Sequence, residues 1–239
     1  RFSGRLTATH VMGGAIARKL LKVTLGVETH SFTSQIGKIK MENKFNEKMI
    51  KSIYKNDVRC PEISTAKKMK TSILNAKKKG DSLGGIIDSV TTKIPVGLGE
   101  PIFSSLESDL SKAMFSIPSV KGVEFGSGFR GSELYGSENN DLYTVKNGKI
   151  ITKTNNSGGI LGGISNGMPI TMRIAFKPAS SIAQKQSTID IKTKKETILQ
   201  VKGRHDPCVV PRAPPVVDSL VSLTIADHAL LSGAIKPVL

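Results

Sequence analysis

Tryptophan is absent from this 239-residue chain, and aromatic residues make up only 5% of it. A platform on which nucleic-acid bases could stack is therefore poorly supplied. Cysteine is nearly absent as well. Cys60 and Cys208 cannot build a disulfide framework, and neither has the CxxC or CxxH neighbour that a zinc site needs. No apolar run approaches the roughly 18 residues that a membrane-spanning helix requires. The N-terminus is polar and lacks the apolar stretch of a secretory signal, and it lacks an initiating Met, which points to a processed or truncated piece. Acidic residues are also few: 19 Asp and Glu face 35 Lys and Arg, for a net charge of +16. Such a charge favours anionic partners and opposes compaction. Apolar residues are 38% of the chain, enough for a core, and the length suits one large domain or two small ones.

Basicity alone leaves three partner classes: nucleic acid, an acidic membrane, and small phosphorylated or carboxylated ligands. The basic residues concentrate between Lys38 and Lys79, including Lys67-Lys68 and Lys77-Lys78-Lys79. A solvated helix face with its connecting loop accounts for that run, and an RNA-binding surface is the alternative.

The periodicity predicts a helix over 7–22, with Val11, Met12, Ala15, Ile16, Leu20 and Leu21 as its stripe and Gly13-Gly14 as close-packing positions. Weak strand signals follow over Val23–Ile39. A second helix fits 64–79, capped by Ser64 or Thr65, with Met69, Ile73 and Ala76 on one face and Gly80 as terminator. From Ile86 the period becomes two, placing Ile86, Val90, Ile94 and Val96 on one strand face. Ser104-x-x-Glu107 reads as a capping box for a helix with Leu106, Leu110, Met114 and Ile117 as its stripe. Residues 120–129 read as a strand broken by glycines. Asn147-Gly148 marks a hairpin. Ile170, Met172, Ile174 and Phe176 form the buried side of a strand, with Ile189 and Ile191 in its expected neighbour. The last helix starts at Pro214-Pro215 and stops before Gly233. This order predicts an α+β domain rather than a regular βαβ winding.

Four segments carry candidate chemistry. Arg1-Phe2-Ser3-Gly4-Arg5-Leu6-Thr7-Ala8 opens a helix, where free backbone N–H groups, Ser3 and Arg5 could meet an anion. Residues 155–167 hold five glycines in thirteen positions, bracketed by asparagines, so backbone can approach a ligand closely. In Phe176-Lys177-Pro178-Ala179-Ser180-Ser181-Ile182, a lysine leaving a strand and two hydroxyls can hold a phosphate monoester; a plain surface turn is the alternative. In Lys202-Gly203-Arg204-His205-Asp206-Pro207-Cys208-Val209-Val210-Pro211-Arg212, Arg204 and Asp206 share a side of extended chain. His205 and Asp206 point oppositely and do not form a dyad.

These segments, in this order, resemble the chorismate synthase family. Pro95–Pro101, Ser116–Phe129 and Gly136–Asp141 add to the resemblance, which spans the chain almost end to end. It implies a β-α-β sandwich over 1–239 as a single domain. It further implies an anti-1,4-elimination of phosphate from 5-enolpyruvylshikimate 3-phosphate to give chorismate. Reduced FMN would be the cofactor, with NADPH as a possible reductant, in a cytoplasmic homotetramer with no nucleic-acid or membrane partner. By resemblance, Ser3, Gly4 and Arg5 lie at flavin and substrate. Pro118-Ser119 occupies a flavin-contacting turn where the family more often has Asn-Ala. Gly162 touches the flavin, and Lys177, Pro178, Ala179, Ser180 and Ser181 hold its phosphate. Arg204 lies between flavin and substrate, and Asp206 lies near flavin N5 as the catalytic candidate.

One departure stands out. The family carries, ahead of its Ser-x-Arg motif, a Gly-Glu-Ser-His-Gly and an Arg-Pro-Gly-His-Ala-Asp motif with catalytic histidines, and neither occurs here. The expectation is a C-terminal two-thirds with little activity alone. A basic nucleic-acid-binding module is the competing reading.

Overall fold

The computed structural model describes residues 3–236, so the readings that involve Arg1 and Phe2 lie outside the described residues. The elements run α1 (Thr7–Thr24), β1 (Glu28–Ile36), β2 (Ile39–Lys40), α2 (Ile63–Lys78), β3 (Gly85–Thr92), α3 (Leu106–Phe115), β4 (Val120–Phe125) and α4 (Gly136–Asn139). Then follow β5 (Tyr143–Lys146), β6 (Lys149–Thr152), β7 (Ile160–Leu161), β8 (Ile164–Ser165), β9 (Ile170–Phe176), β10 (Gln186–Asp190), β11 (Lys195–Leu199) and α5 (Pro214–Leu231). The main sheet has the order β2-β1-β3-β9-β4, and three two-stranded ribbons stand apart from it. The architecture is α+β, as the element order predicts.

The chain divides into two compact units. One gathers residues up to Phe32, Ile87–Ala175 and the residues from Ala213 on; the other gathers Thr33–Ile86 and Phe176–Arg212.

In the first unit α1 packs on α5. Its buried positions are Gly14, Ala17 and Leu21: Leu21 of the predicted stripe and Gly14 of the predicted close-packing pair hold, while Met12 and Ile16 are 70% and 74% exposed. The reason is steric. A Cβ on Gly14 would lie 2.2 Å from Ser219 Cβ, so the small-residue face lets the two helix backbones approach where a bulky stripe could not. Across the same contact, Arg18 pairs with the buried Asp218 at 3.5 Å. Burial pushes the Asp218 carboxyl up to about 6 against the pull of Arg18.

β3 also reverses its predicted face, and it ends at Thr92, before Ile94 and Val96. Ile87, Ser89 and Thr91 are buried, while Ile86 and Val90 are only half-buried. Polar residues can bury there because their hydroxyls pair across strands: Ser31 Oγ donates to Ser89 Oγ at 3.0 Å, and Thr29 and Thr91 meet at 3.1 Å. β9 keeps its predicted side, with Ile170, Met172, Ile174 and Phe176 all buried. Its expected neighbour does not form: Ile189 lies in β10, which pairs with β11 alone, and Ile191 lies in the turn between them.

Two caps shift by a few residues. Ser105, not Ser104, caps α3, and its side chain accepts from the Ser108 amide. Ser104 instead bridges to Glu100. α2 starts at Ile63, so Thr65 lies inside its first turn, where its hydroxyl bonds the Glu62 carboxylate instead of capping. Asn147-Gly148 turns the β5–β6 hairpin with both residues at positive φ, as its composition predicts.

Candidate functional site

In the first unit, Ser3 caps the 3-10 turn Gly4–Leu6 that leads into α1. Its Oγ accepts from the Arg5 amide at 3.2 Å, and its carbonyl accepts from the Leu6 amide. Two of the amides expected to be free for an anion are therefore engaged locally. Ser3, Gly4 and Arg5 are exposed, and the Arg5 side chain has no partner among the described residues.

The glycine-rich segment is not a floppy loop. Gly162-Gly163 forms the two-residue turn of the β7–β8 hairpin, with φ of +62° and +87°. Two consecutive positive φ values define the turn type that matches strand twist. Gly159 sits so close to Pro169 that a Cβ would come within 2.5 Å of its carbonyl oxygen. Gly162 differs: a Cβ there would meet nothing within 4 Å, so its outer side is open. Side chains complete the pinning. Asn155 Nδ2 donates to the Pro169 carbonyl at 2.8 Å and Asn156 Nδ2 to the Asn139 carbonyl at 3.0 Å. Asp141 accepts from Thr154 Oγ1 at 2.6 Å and from the amides of Asn156 and Ser157 at 2.7 and 2.8 Å. Burial raises the Asp141 carboxyl, but these three donors together outweigh it and hold it below the usual carboxylate range.

Pro118-Ser119 forms the centre of a turn closed by the Val120 amide on the Ile117 carbonyl at 3.3 Å, with Ser119 at φ +75°. Pro at the second position and positive φ at the third describe a type II turn, which Gly or Asn would fill with less strain. This turn leaves the C-terminal end of α3. The Gly162-Gly163 turn meets the other end, where the Leu106 amide donates to the Gly163 carbonyl at 2.9 Å.

In the second unit, residues 80–84 gather two candidate segments, a role the sequence reading did not assign to them. Ser82 Oγ donates to the Ala179 carbonyl at 2.6 Å, and the Ala183 amide donates to the Gly80 carbonyl at 3.0 Å. A Cβ on Gly84 would lie 2.3 Å from the Phe176 carbonyl oxygen. The Leu83 amide holds Pro207 by its carbonyl at 2.8 Å. Lys177, Pro178, Ser180 and Ser181 are exposed on this pinned backbone. The side chains of Lys177, Ser180 and Ser181 have no hydrogen-bond or ion-pair partner among the described residues.

The segment 202–212 is tied a second time, by Arg59 Nε on the Pro211 carbonyl at 2.9 Å. Arg204 is exposed, while Asp206 pairs with Arg212 at 3.1 Å. His205 Nε2 is buried without a partner, so it does not bond Asp206. Cys208 is buried, which pushes its thiol up to about 11, beyond reactivity near neutral pH.

The lysine run on α2 is partly neutralised, with Lys68 and Lys70 paired to Glu42 and Asp57. No group of His, Cys, Asp and Glu among the described residues could hold a metal ion. No described helix is long and apolar enough to cross a membrane.

Taken chemically, the chain is an α+β protein that presents an open glycine turn and, on a pinned loop, an unpaired ammonium with two hydroxyls: groups suited to an anionic, phosphorylated ligand. Comparison with known proteins gives the family. The chorismate synthase family matches over residues 1–230, and the chain belongs to that family. It is 48% identical to a chorismate synthase of Dehalococcoides mccartyi over 100% of this chain and 65% of the relative. It is 49% identical to one of Korarchaeum cryptofilum over 98% of this chain and 65% of the relative. A solved chorismate synthase crystal structure superposes with a TM-score of 0.78 at 30% identity, covering 97% of this chain and 64% of that one. The chain thus spans about 65% of the length of the curated relatives it matches.

Proposed function

We propose that this chain takes part in the chorismate synthase reaction, the anti-1,4-elimination of phosphate from 5-enolpyruvylshikimate 3-phosphate, with reduced FMN as cofactor. Family membership supports the reaction class. The observation that carries the flavin reading is the loop at 177–183: its backbone is held by Ser82 and Gly80, yet its cation and hydroxyls are unpaired. A preorganised cation with two donors suits a phosphate monoester. The open side of Gly162 likewise suits a flat ring brought against backbone.

When bound, reduced FMN supplies the electron-rich partner of the elimination. In this reading Lys177, Ser180 and Ser181 bind the cofactor phosphate, with Pro178 and Ala179 shaping the loop. The turn at Pro118-Ser119 and the backbone of Gly162 contact the ring system. Ser3, Gly4, Arg5 and Arg204 contribute the remaining flavin contacts, with Arg5 and Arg204 also orienting the anionic substrate. Asp206 offers a carboxylate oxygen that can accept a proton. Arg212, 3.1 Å away, pairs with that carboxylate. A net charge of +16 adds an attractive field for both anions. The protein would work as a cytoplasmic homotetramer, with NADPH as a possible reductant.

Neither histidine motif of the family is in this sequence. General acid–base help is worth about 10²–10⁴-fold, so these 239 residues by themselves should give little turnover; robust chorismate formation by them would refute that. The flavin site is tested by titrating FMN and riboflavin. Lys177→Ala should weaken FMN by about ten- to hundredfold, since a charge-assisted contact is worth roughly 1.5–3 kcal/mol, and leave riboflavin unchanged. Equal weakening of both ligands would remove the phosphate assignment.

A further inference from the structure

His228 lies in the last turn of α5 with its side chain 2% exposed. Its Nε2 is 3.1 Å from Asp109 Oδ2, while Nδ1 is buried without a partner, so Asp109 is the ring's one polar attachment among the described residues. Asp109 sits one turn into α3, four residues after the cap Ser105. The fully buried residues of α3 are all apolar: Leu106, Leu110 and Met114 are each 0% exposed. Apolar packing is non-directional and tolerates small slides and rotations of a helix. A single buried hydrogen bond to a carboxylate does not, because moving it strands a buried polar ring.

Both ends of α3 connect to backbone of the candidate site. At its start, the Leu106 amide holds the Gly163 carbonyl at 2.9 Å, and a Cβ on Gly163 would lie 2.9 Å from Ser105 Cβ. At its finish, the Ile117 carbonyl closes the Pro118-Ser119 turn. Any shift of α3 therefore moves the Gly162-Gly163 turn and the Pro118-Ser119 turn together. We infer that His228 and Asp109 are positioning residues: a latch that fixes α3 on α5 and so sets the two backbone turns of this unit. The functional half of the inference rests on the flavin reading above.

Amide hydrogen exchange of the whole chain, read residue by residue, tests the latch without any ligand. His228→Leu should speed exchange of the Leu106 and Val120 amides at least about tenfold while the β5–β6 hairpin keeps wild-type rates. His228→Gln, whose side-chain amide can still donate to Asp109, should restore slow exchange. Unchanged rates at Leu106 and Val120, or an equal rise across the β5–β6 hairpin and α1, would overturn the latch in favour of no role or general stability. If His228→Leu does not fold, Asp109→Ala carries the same expectations from the 29% exposed side of the pair. FMN titration then separates this inference from the flavin reading. Absence of FMN binding by the unaltered chain counts against the flavin reading, and the exchange rates still judge the latch. If the unaltered chain binds FMN, the latch variants should bind it at least about fivefold more weakly. Unweakened binding by a fast-exchanging variant would overturn the functional half.

Discussion

The glycine-rich loop at 155–167 and the loop at 177–183 are both held firmly, but by opposite means. In the first, side chains do the holding: Asn155, Asn156 and Asp141 are all engaged within the protein, and what is left open is backbone at Gly162. In the second, the loop's own backbone is what is held, at the Ala179 carbonyl by the Ser82 hydroxyl and at the Ala183 amide by the Gly80 carbonyl, and what is left open is side chains at Lys177, Ser180 and Ser181. A site built on backbone tolerates no Cβ and offers shape. A site built on side chains tolerates substitution of its fold contacts poorly and of its ligand contacts well, and it offers charge. Ligand binding and stability should therefore separate differently at the two loops.

The largest effect should come from Gly159→Ala. A Cβ 2.5 Å from the Pro169 carbonyl, at φ +84°, forces backbone to move. A loss above about 3 kcal/mol is expected by chemical denaturation, from steric overlap plus left-handed strain. Near-normal stability would mean the loop yields more than its contacts imply.

Asp141→Ala should come next, at about 2 kcal/mol, since three donors lose a partly buried carboxylate. The pH dependence gives a second reading. The Asp141 carboxyl is held below its ordinary 3.8, so its contribution is fully present above that value and is lost as pH falls through the folded one. Asp218 runs the other way. Its folded value is raised to about 6, so the folded state holds the extra proton between about 4 and 6, and stability declines as pH rises through that window. Stability curves of Asp141→Ala and Asp218→Asn against pH should flatten in their respective windows. Curves parallel to the unaltered protein would contradict both assignments.

Gly162→Ala sharpens the comparison. With nothing within 4 Å of its Cβ, only the left-handed strain remains, about 1–2 kcal/mol. Its FMN affinity should fall by more than its stability loss explains, because the added methyl occupies the open side. The smallest effect belongs to Lys177→Ala, whose melting temperature should not change measurably, because no described contact is removed. A clear drop would show that Lys177 supports the fold and would weaken its assignment to a ligand.

Much of this was legible in the residues alone. Helix and strand positions followed from period and punctuation: Pro214-Pro215 opened α5, Asn147-Gly148 turned a hairpin, and Gly80 ended α2 at φ +65°. The exposed cation and hydroxyls of Lys177 through Ser181 and the family motifs were equally local, because residue identity and spacing travel with the chain. Facing was not local. On α1 the close packing at Gly14 and the burial of Leu21 were legible, but the exposure of Met12 and Ile16 and the reversed β3 face were not, because the Ser219 backbone at Gly14 and the hydroxyl pairing between Thr29 and Thr91 come from partners far along the chain. The partners Asp109 and His228, and the role of 80–84 beneath two candidate loops, were invisible for the same reason. Sequence determines which groups a segment carries and which backbone shapes it can take; only tertiary structure decides which of those groups are used up inside the protein and which remain free for a ligand.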